Sequence, residues 1–247
     1  MIPSELRKKA RESLSGKWGK GACIILAYLL INFLISFVIG LFKNNSAIST
    51  ILSIAEIVIS VPISFGLIIS FLKLKRDEDT SAFAFLENGF SRFSKAWGIA
   101  FQTIIRMILP IVCVILSVLL MVLLFFMSSK SWLFVILGVA IYIASIVYAV
   151  SRGLLYSLAY FIAYDNPNLS SKECVLKSEE LMTGNRGNLF LLELSFIGWM
   201  ILGAFTFGIA YIWLIPYMQV AISCFYDELN PSTAKKVDGK VEIETEE

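Results

Sequence analysis

Two arginines inside long apolar stretches are the residues of this chain best suited to chemistry. Arg106 lies 21 residues before Met127, and Arg152 lies 20 residues after Trp132. At a helical rise of about 1.5 Å per residue, both lie about 30 Å from the turn between them, so they share one level. Because a guanidinium fork suits phosphate or carboxylate, the pair is a candidate site for an anionic headgroup or solute. The alternative is two interfacial anchors that hold lipid phosphates without specificity.

Among the other polar residues within the apolar stretches, such as Gln102, four are candidate site residues, namely Glu193, Glu56, Gln219 and Asn32. Glu193 lies near the inner end of its stretch, so we expect it to form a salt bridge with Arg106 or Arg152. Glu56 has no cation at its depth, so it is either protonated and hydrogen-bonded or faces a water-filled cavity. Single amides usually hold helices together. A second hypothesis joins these groups and the arginines into the polar path of a small-solute or lipid transporter.

The residue types argue against ordinary enzyme chemistry. The chain has no histidine, which excludes a serine–histidine triad and a zinc HExxH site. Cys23, Cys113, Cys174 and Cys224 lack metal-ligand spacing. The sequence therefore predicts a non-enzymatic protein with no metal and no cofactor, and an intramembrane enzyme is the third hypothesis.

The elements that carry these residues are transmembrane helices. Hydrophobic residues make up 57% of the chain and charged residues only 16%, whereas soluble domains have about 25% charged residues. Runs of roughly 20 apolar residues suit a bilayer core of about 30 Å, where helices satisfy every backbone group. The sequence predicts an all-α polytopic transmembrane helix bundle of six spans, at about 22–42, 48–72, 97–127, 132–164, 189–206 and 208–226.

Lysine and arginine residues are concentrated in every second connection between the spans, which places most of them on one side of the membrane. They are frequent before the first span, between spans two and three, between spans four and five, and in the tail, whereas the other connections contain only Lys43 and Lys130. Cationic loops stay in the cytosol, so both termini are predicted to be cytosolic. The predicted partners are membrane lipids rather than nucleic acid, and a protein partner or a homo-oligomer is left open.

The cytosolic connections are predicted to contain amphipathic surface helices at about 4–16, 81–97 and 170–183. In the second, an apolar stripe recurs at helical spacing. This stripe either faces the headgroup boundary or packs on the bundle; its members are Phe83, Leu86, Phe90, Phe93 and Trp97. In the third, Ser170 with Glu173 three residues later predicts a capping box.

Each surface helix leads through a small or glycine-containing hinge into a pair of spans, which predicts three copies of one unit. The hinges are Gly16 to Gly19, Lys95 to Gly98, and Gly184 to Gly187. The membrane domain is predicted to cover 1–229. The polar stretch 230–247 is predicted to be a disordered cytosolic tail.

Several sequence blocks resemble a known family: SELRKKARESLSGKWGKG from Ser4 to Gly21, then GFSRF, DNPNLSSKE, LMTGNRGNLFLLELSFIGW and WLIPY. Together they resemble the bacterial integral membrane proteins of domain of unknown function 975, over nearly the whole chain. The resemblance implies a six-helix protein of the bacterial inner membrane, distantly similar to the membrane region attached to some glycerophosphodiester phosphodiesterases. It implies no catalytic residues. The first functional hypothesis is a non-enzymatic membrane component that binds anionic lipid headgroups or a membrane partner.

Overall fold

The computed structural model describes residues 2–127 and 132–230, and this part of the chain is helical, with no strand. Its helices are α1 (Pro3–Leu14), α2 (Trp18–Leu41), α3 (Ser46–Lys75), α4 (Ala84–Phe90), α5 (Phe93–Met127), α6 (Leu133–Leu155), α7 (Ala159–Asp165), α8 (Ser171–Met182), α9 (Arg186–Leu194), α10 (Ile197–Phe205) and α11 (Tyr211–Leu229). Most of the predicted tail, 231–247, lies outside the described residues.

Five helical segments are long and apolar enough to cross a membrane: Trp18–Leu41, Ser46–Lys75, Phe93–Phe126, Leu133–Asp165 and Arg186–Phe205. The predicted count was six, and α11 is the segment that is missing from this set. Its 19 residues end in a stretch with Asp227 and Glu228. At about 1.5 Å per residue, its apolar part is only about 24 Å long.

The order of elements is a short helix followed by a helical hairpin, three times over. The groups are α1 with α2 and α3, α4 with α5 and α6–α7, and α8 with α9–α10 and α11. Each short helix packs on the return helix of another hairpin: α4 contacts α3, α8 contacts α7, and α1 contacts α11. The contact of α1 with α11 joins the first group to the last, so the three groups form a closed ring.

The second short helix differs from its prediction. Instead of one helix over 81–97, α4 ends at Phe90 and the span helix α5 begins at Phe93. The predicted hinge from Lys95 to Gly98 therefore lies inside α5. Two members of the stripe face away from the protein, since Phe83 is 52% exposed and Phe90 is 45% exposed, whereas Leu86 packs against the core and the buried side of α4 is Ala84, Phe85 and Gly89.

Two predicted spans are not continuous helices. The fourth is interrupted between Leu155 and Ala159, and there the Ser178 hydroxyl of α8 donates to the Leu155 carbonyl and accepts from the Leu158 N–H. The fifth is interrupted after Leu194, where Arg7 of α1 donates to the Ser195 carbonyl at 3.2 Å. Short helices thus supply partners for backbone groups that an interrupted helix leaves free.

The buried core lies where the span helices meet the short helices. Leu6, Ala10 and Leu14 of α1 are each at most 1% exposed, so the apolar stripe of the first predicted surface helix packs on the protein. The outer parts of the hairpins expose large apolar side chains, such as Phe33 and Leu119. Exposure of this kind suits a hydrocarbon environment.

Candidate functional site

The two arginines of the middle hairpin lie at similar heights on neighbouring helices. The Met107 Cε atom lies 3.9 Å from the position that a Cβ would take at Gly153. In this antiparallel hairpin, Arg106 lies one residue inward of Met107 and Arg152 one residue outward of Gly153, so the two arginines differ in height by only about 3 Å. This arrangement agrees with the residue count from the outer turn.

In the structure, these two arginines have partners other than Glu193, with which an ion pair was expected. Arg152 Nη1 lies 3.6 Å from Glu179 Oε1 of α8. Arg106 donates to the carbonyl and the side-chain oxygen of Gln102 in its own helix, at 3.1 and 2.9 Å. Glu193 has no ion pair within the described ranges, so the predicted salt bridge is wrong. The reason is that α8 packs against α6 and brings its own carboxylate to the site.

Arg186 extends this group, because its Nη1 donates to the Ser151 hydroxyl at 3.0 Å. We call Arg106, Arg152 and Arg186 the arginine level. Both Arg106 and Arg152 lie within electrostatic range of the Tyr156 hydroxyl. That hydroxyl and Arg152 Nε are buried without a hydrogen-bond partner among the described residues, and Tyr156 is only 5% exposed. Among the described residues, the arginine level therefore has three cations with one carboxylate, Glu179, within 4.0 Å of Arg152, together with two buried donors that lack an acceptor.

The remaining polar candidates are not brought together. Asn32 donates to the Tyr28 carbonyl of its own helix at 2.8 Å. Glu56 lies half-buried on the outer part of α3, and Gln219 lies on α11. Neither these residues nor Glu193 line the clefts described beside Arg7, Arg92, Met121 and Tyr156. The transport path through them stays a prediction.

Sequence reasoning missed a buried ion cluster at the ends of the three return helices. Arg76 Nη1 lies 2.6 Å from Asp165 Oδ1, and Arg76 Nη2 lies 2.7 Å from Asp227 Oδ1. Lys75 also pairs with Asp227, and the Tyr226 hydroxyl donates to Asp165 at 2.8 Å. We call these five residues the ion cluster. It ties together the ends of α3, α7 and α11.

The ion cluster has a structural role because each of its charges is paired within the cluster, although Arg76 Nε has no hydrogen-bond partner among the described residues. The side chains of Arg76, Asp165 and Asp227 are 4%, 6% and 7% exposed. Burial opposes the charge on Arg76, but its hydrogen bonds to both carboxylates outweigh burial and raise its pKa. The one sequence signal for the cluster is a Tyr-Asp pair that ends the second and third hairpins, at Tyr164 and at Tyr226.

A separate cleft of about 510 Å³ lies between α1, α2, α10 and α11. The α1 wall contributes Arg7 and Arg11, and the other walls are mainly aromatic and aliphatic: Trp18, Trp199, Leu202, Trp213, Leu214 and Tyr217. The buried Arg7 Nε has no partner among the described residues. We call this space the α1 cleft. In the sequence, its arginines could not be distinguished from the cations that membrane topology requires.

The fold and these sites define an all-helical protein whose apolar helices are those of a multi-pass membrane protein. The chain belongs to the family described as protein of unknown function DUF975, whose model matches residues 1–233. No curated protein and no solved structure matches the chain. The distant similarity to the membrane region of glycerophosphodiester phosphodiesterases therefore stays a prediction.

Proposed function

We propose that this chain is a non-enzymatic protein of the bacterial inner membrane that binds anionic lipid headgroups at the arginine level. The observation that carries the proposal is the imbalance of that site. Of its three guanidinium groups, Arg152 alone has a carboxylate, Glu179, within 4.0 Å in the described part of the chain, where Arg152 Nε and the Tyr156 hydroxyl also have no acceptor. A phosphate would supply both the negative charge and the missing acceptors.

The depth of the arginine level supports a headgroup as the ligand. From Arg106 to Met127, and from Arg152 back to Leu133, the helices are about 30 Å long at 1.5 Å per residue. This length equals the thickness of the hydrocarbon core. If the outer turn lies at one surface of the bilayer, the arginines lie at the opposite edge, where lipid phosphates are found.

The proposed topology has six spans with both termini in the cytosol. The ion cluster joins the ends of α3, α7 and α11, which favours the return of all three hairpins to the same side. The N-terminal helix is on that side too, because Lys9 pairs with Glu228 and the Tyr217 hydroxyl donates to the Arg7 carbonyl. The predominance of lysine and arginine on this side supports its assignment to the cytosol. In the third hairpin, the segment Arg186–Phe205 is about 30 Å long, whereas the apolar part of α11 is about 24 Å long, so its return crossing is the shortest of the three.

Cysteine accessibility in intact cells tests this topology. In a chain with its four native cysteines replaced, a membrane-impermeant maleimide should label Asn44→Cys from outside and Glu87→Cys only after permeabilisation. Phe207→Cys, in the turn of the third hairpin, should also react from outside. Protection of Phe207→Cys from both sides would reduce the count to four spans and a hairpin that ends inside the membrane.

Native mass spectrometry of the purified protein tests the binding proposal. We expect the wild type to retain an anionic lipid that the double variant Arg106→Ala, Arg152→Ala loses. The control, Lys20→Ala with Lys172→Ala, removes the same charge from exposed positions. Equal retention by the wild type and both variants would overturn the headgroup site, whereas equal loss in both variants would show a nonspecific charge effect.

A further inference from the structure

We infer that the α1 cleft binds one anionic phospholipid, with its phosphate on Arg7 and Arg11 and the upper part of an acyl chain along Trp199 and Trp213. The inference rests on the membrane placement in the proposed function. It does not depend on the arginine level, because none of Arg106, Arg152 and Arg186 is among the residues described as lining the α1 cleft. The α1 cleft is formed by α1, α2 and the third hairpin.

The charge of the α1 cleft calls for an anion. Neither Arg7 nor Arg11 has a carboxylate within 4.0 Å in the described part of the chain, and no acidic residue is among those described as lining the cleft. The hydrogen bond from Arg7 to the Ser195 carbonyl fixes the guanidinium, yet its Nε is left without an acceptor. Both arginines lie within electrostatic range of Tyr217. Two cations and an unpartnered donor match the oxygens of a phosphate diester.

The apolar walls select a lipid over a free anion. Trp199 and Trp213 are 56% and 49% exposed, so they face the surroundings of the protein rather than its core. Indole rings prefer the boundary between hydrocarbon and headgroups. A soluble phosphate would gain nothing from these walls, whereas an acyl chain buries apolar surface against them. A volume of about 510 Å³ suits a headgroup and part of one chain.

The cleft is held open by contacts that do not involve a ligand. Tyr217 packs against Trp18 and Phe196, with ring centroids 6.0 and 5.0 Å apart, and its hydroxyl donates to the Arg7 carbonyl at 3.2 Å. These contacts fix the wall of the cleft beside the two arginines. A site that is formed in advance loses less entropy when a ligand binds.

Tryptophan quenching by brominated lipids tests the inference directly. The chain has five tryptophans, and replacing Trp97 and Trp132 by Phe leaves the three that line the cleft. In bilayers of phosphatidylcholine, brominated phosphatidylglycerol should quench this variant more strongly than brominated phosphatidylcholine at the same fraction. Adding Arg7→Gln and Arg11→Gln should weaken this preference about fivefold per arginine.

The matched control is Lys8→Gln with Lys20→Gln, which removes two charges from exposed positions outside the cleft. Because Arg7 also bonds to Ser195, Arg11→Gln alone and the cleft-filling Ala210→Phe provide tests that do not break that bond and add no tryptophan. A preference that survives both single variants would overturn the inference. Equal quenching by the two brominated lipids in the three-tryptophan variant would overturn it as well. Protection of the tryptophans from both lipids would also overturn it, because it would indicate a protein segment in the cleft.

The two proposals fail in different ways. Lipid retention that depends on Arg106 and Arg152, without a phosphatidylglycerol preference at the tryptophans, would leave the proposed function intact and overturn the α1 cleft. The reverse pattern would support the α1 cleft and overturn the arginine level.

Discussion

At the scale of single residues, Arg76, just past the end of α3, is a buried cation that is paired with two carboxylates. Its guanidinium lies between Asp165 and Asp227, and all three side chains are nearly inaccessible to solvent. Lys75 neutralises only one of the two carboxylates. Without Arg76, Asp165 would remain buried with the Tyr226 hydroxyl but without a cation. The ion cluster should therefore contribute strongly to the stability of the packed return helices.

We predict that Arg76→Met destabilises the protein by about 3–5 kcal/mol, because removing one partner leaves an uncompensated buried charge. The measurement is chemical unfolding of purified protein in detergent. Lys9→Met is the control, since it removes an exposed ion pair that is worth about 0–1 kcal/mol. Equal midpoints for the two variants would contradict the structural role of the ion cluster.

The contrast between the arginine level and the ion cluster shows what the sequence could predict at this scale. Arg106 and Arg152 interrupt apolar stretches, so counting along regular helices was enough to put them at one level. Arg76 and Asp227 lie at span ends, where charged residues are expected in any membrane protein. Their pairing depends on how three helices converge, and a linear pattern does not contain that information.

At the scale of elements, the capping box of α8 is the sequence prediction that the structure confirms in detail. The Ser170 hydroxyl accepts from the Glu173 N–H at 3.2 Å, and the Glu173 carboxylate accepts from the Ser170 N–H at 2.6 Å. This motif is local, so the sequence alone specifies it. The interruptions in the fourth and fifth spans were not predictable, because their partners, Ser178 and Arg7, come from distant helices.

The capping box should make the start of α8 sensitive to acid. Hydrogen bonding to Ser170 lowers the pKa of Glu173 below 4.5. A lowered folded-state pKa means that the stabilisation is present above pH 4.5 and is lost as the pH falls through the folded-state value. We expect hydrogen-exchange protection factors in the first turn of α8 to fall between pH 6 and pH 3. The Glu173→Gln variant should show the lower protection at both pH 6 and pH 3. Identical pH profiles for the wild type and this variant would contradict the prediction.

The packing of α4 on α3 depends on two glycines. A Cβ at Gly66 would lie 1.9 Å from the Phe85 carbonyl oxygen, and a Cβ at Gly89 would lie 2.2 Å from the Pro62 carbonyl oxygen. Both obstacles are backbone atoms, which cannot rotate away. Small residues allow this close approach.

We therefore predict that Gly66→Ala lowers stability by at least about 1–3 kcal/mol, the usual cost of overpacking. Thermal unfolding in detergent measures the effect. Gly40→Ala in α2 is the control, because no atom outside its own helix lies within 4 Å of the added Cβ. An equal melting temperature for both variants would rule out tight packing between α3 and α4.

At the scale of the whole molecule, the three groups of helices form a ring that α1 closes against α11. The sequence predicted the order of these groups from its hinges and from the alternation of apolar and basic segments. It could not predict which hairpin each short helix contacts, because α1 and α11 lie at opposite ends of the chain. Contacts over such distances follow from surface complementarity rather than from local periodicity.

A disulfide provides the test of ring closure, because the Ser13 side chain of α1 lies close to the Cys224 thiol of α11. With the other three native cysteines replaced, mild oxidation of Ser13→Cys should link α1 to α11. A protease site inserted at Asn44, between α2 and α3, then separates the two segments, which should stay together on a non-reducing gel and separate after reduction. Ser15→Cys, exposed beyond the end of α1, is the matched control. Linkage no greater than in this control would show that α1 does not close the ring, and the α1 cleft would then lose the wall that carries its arginines.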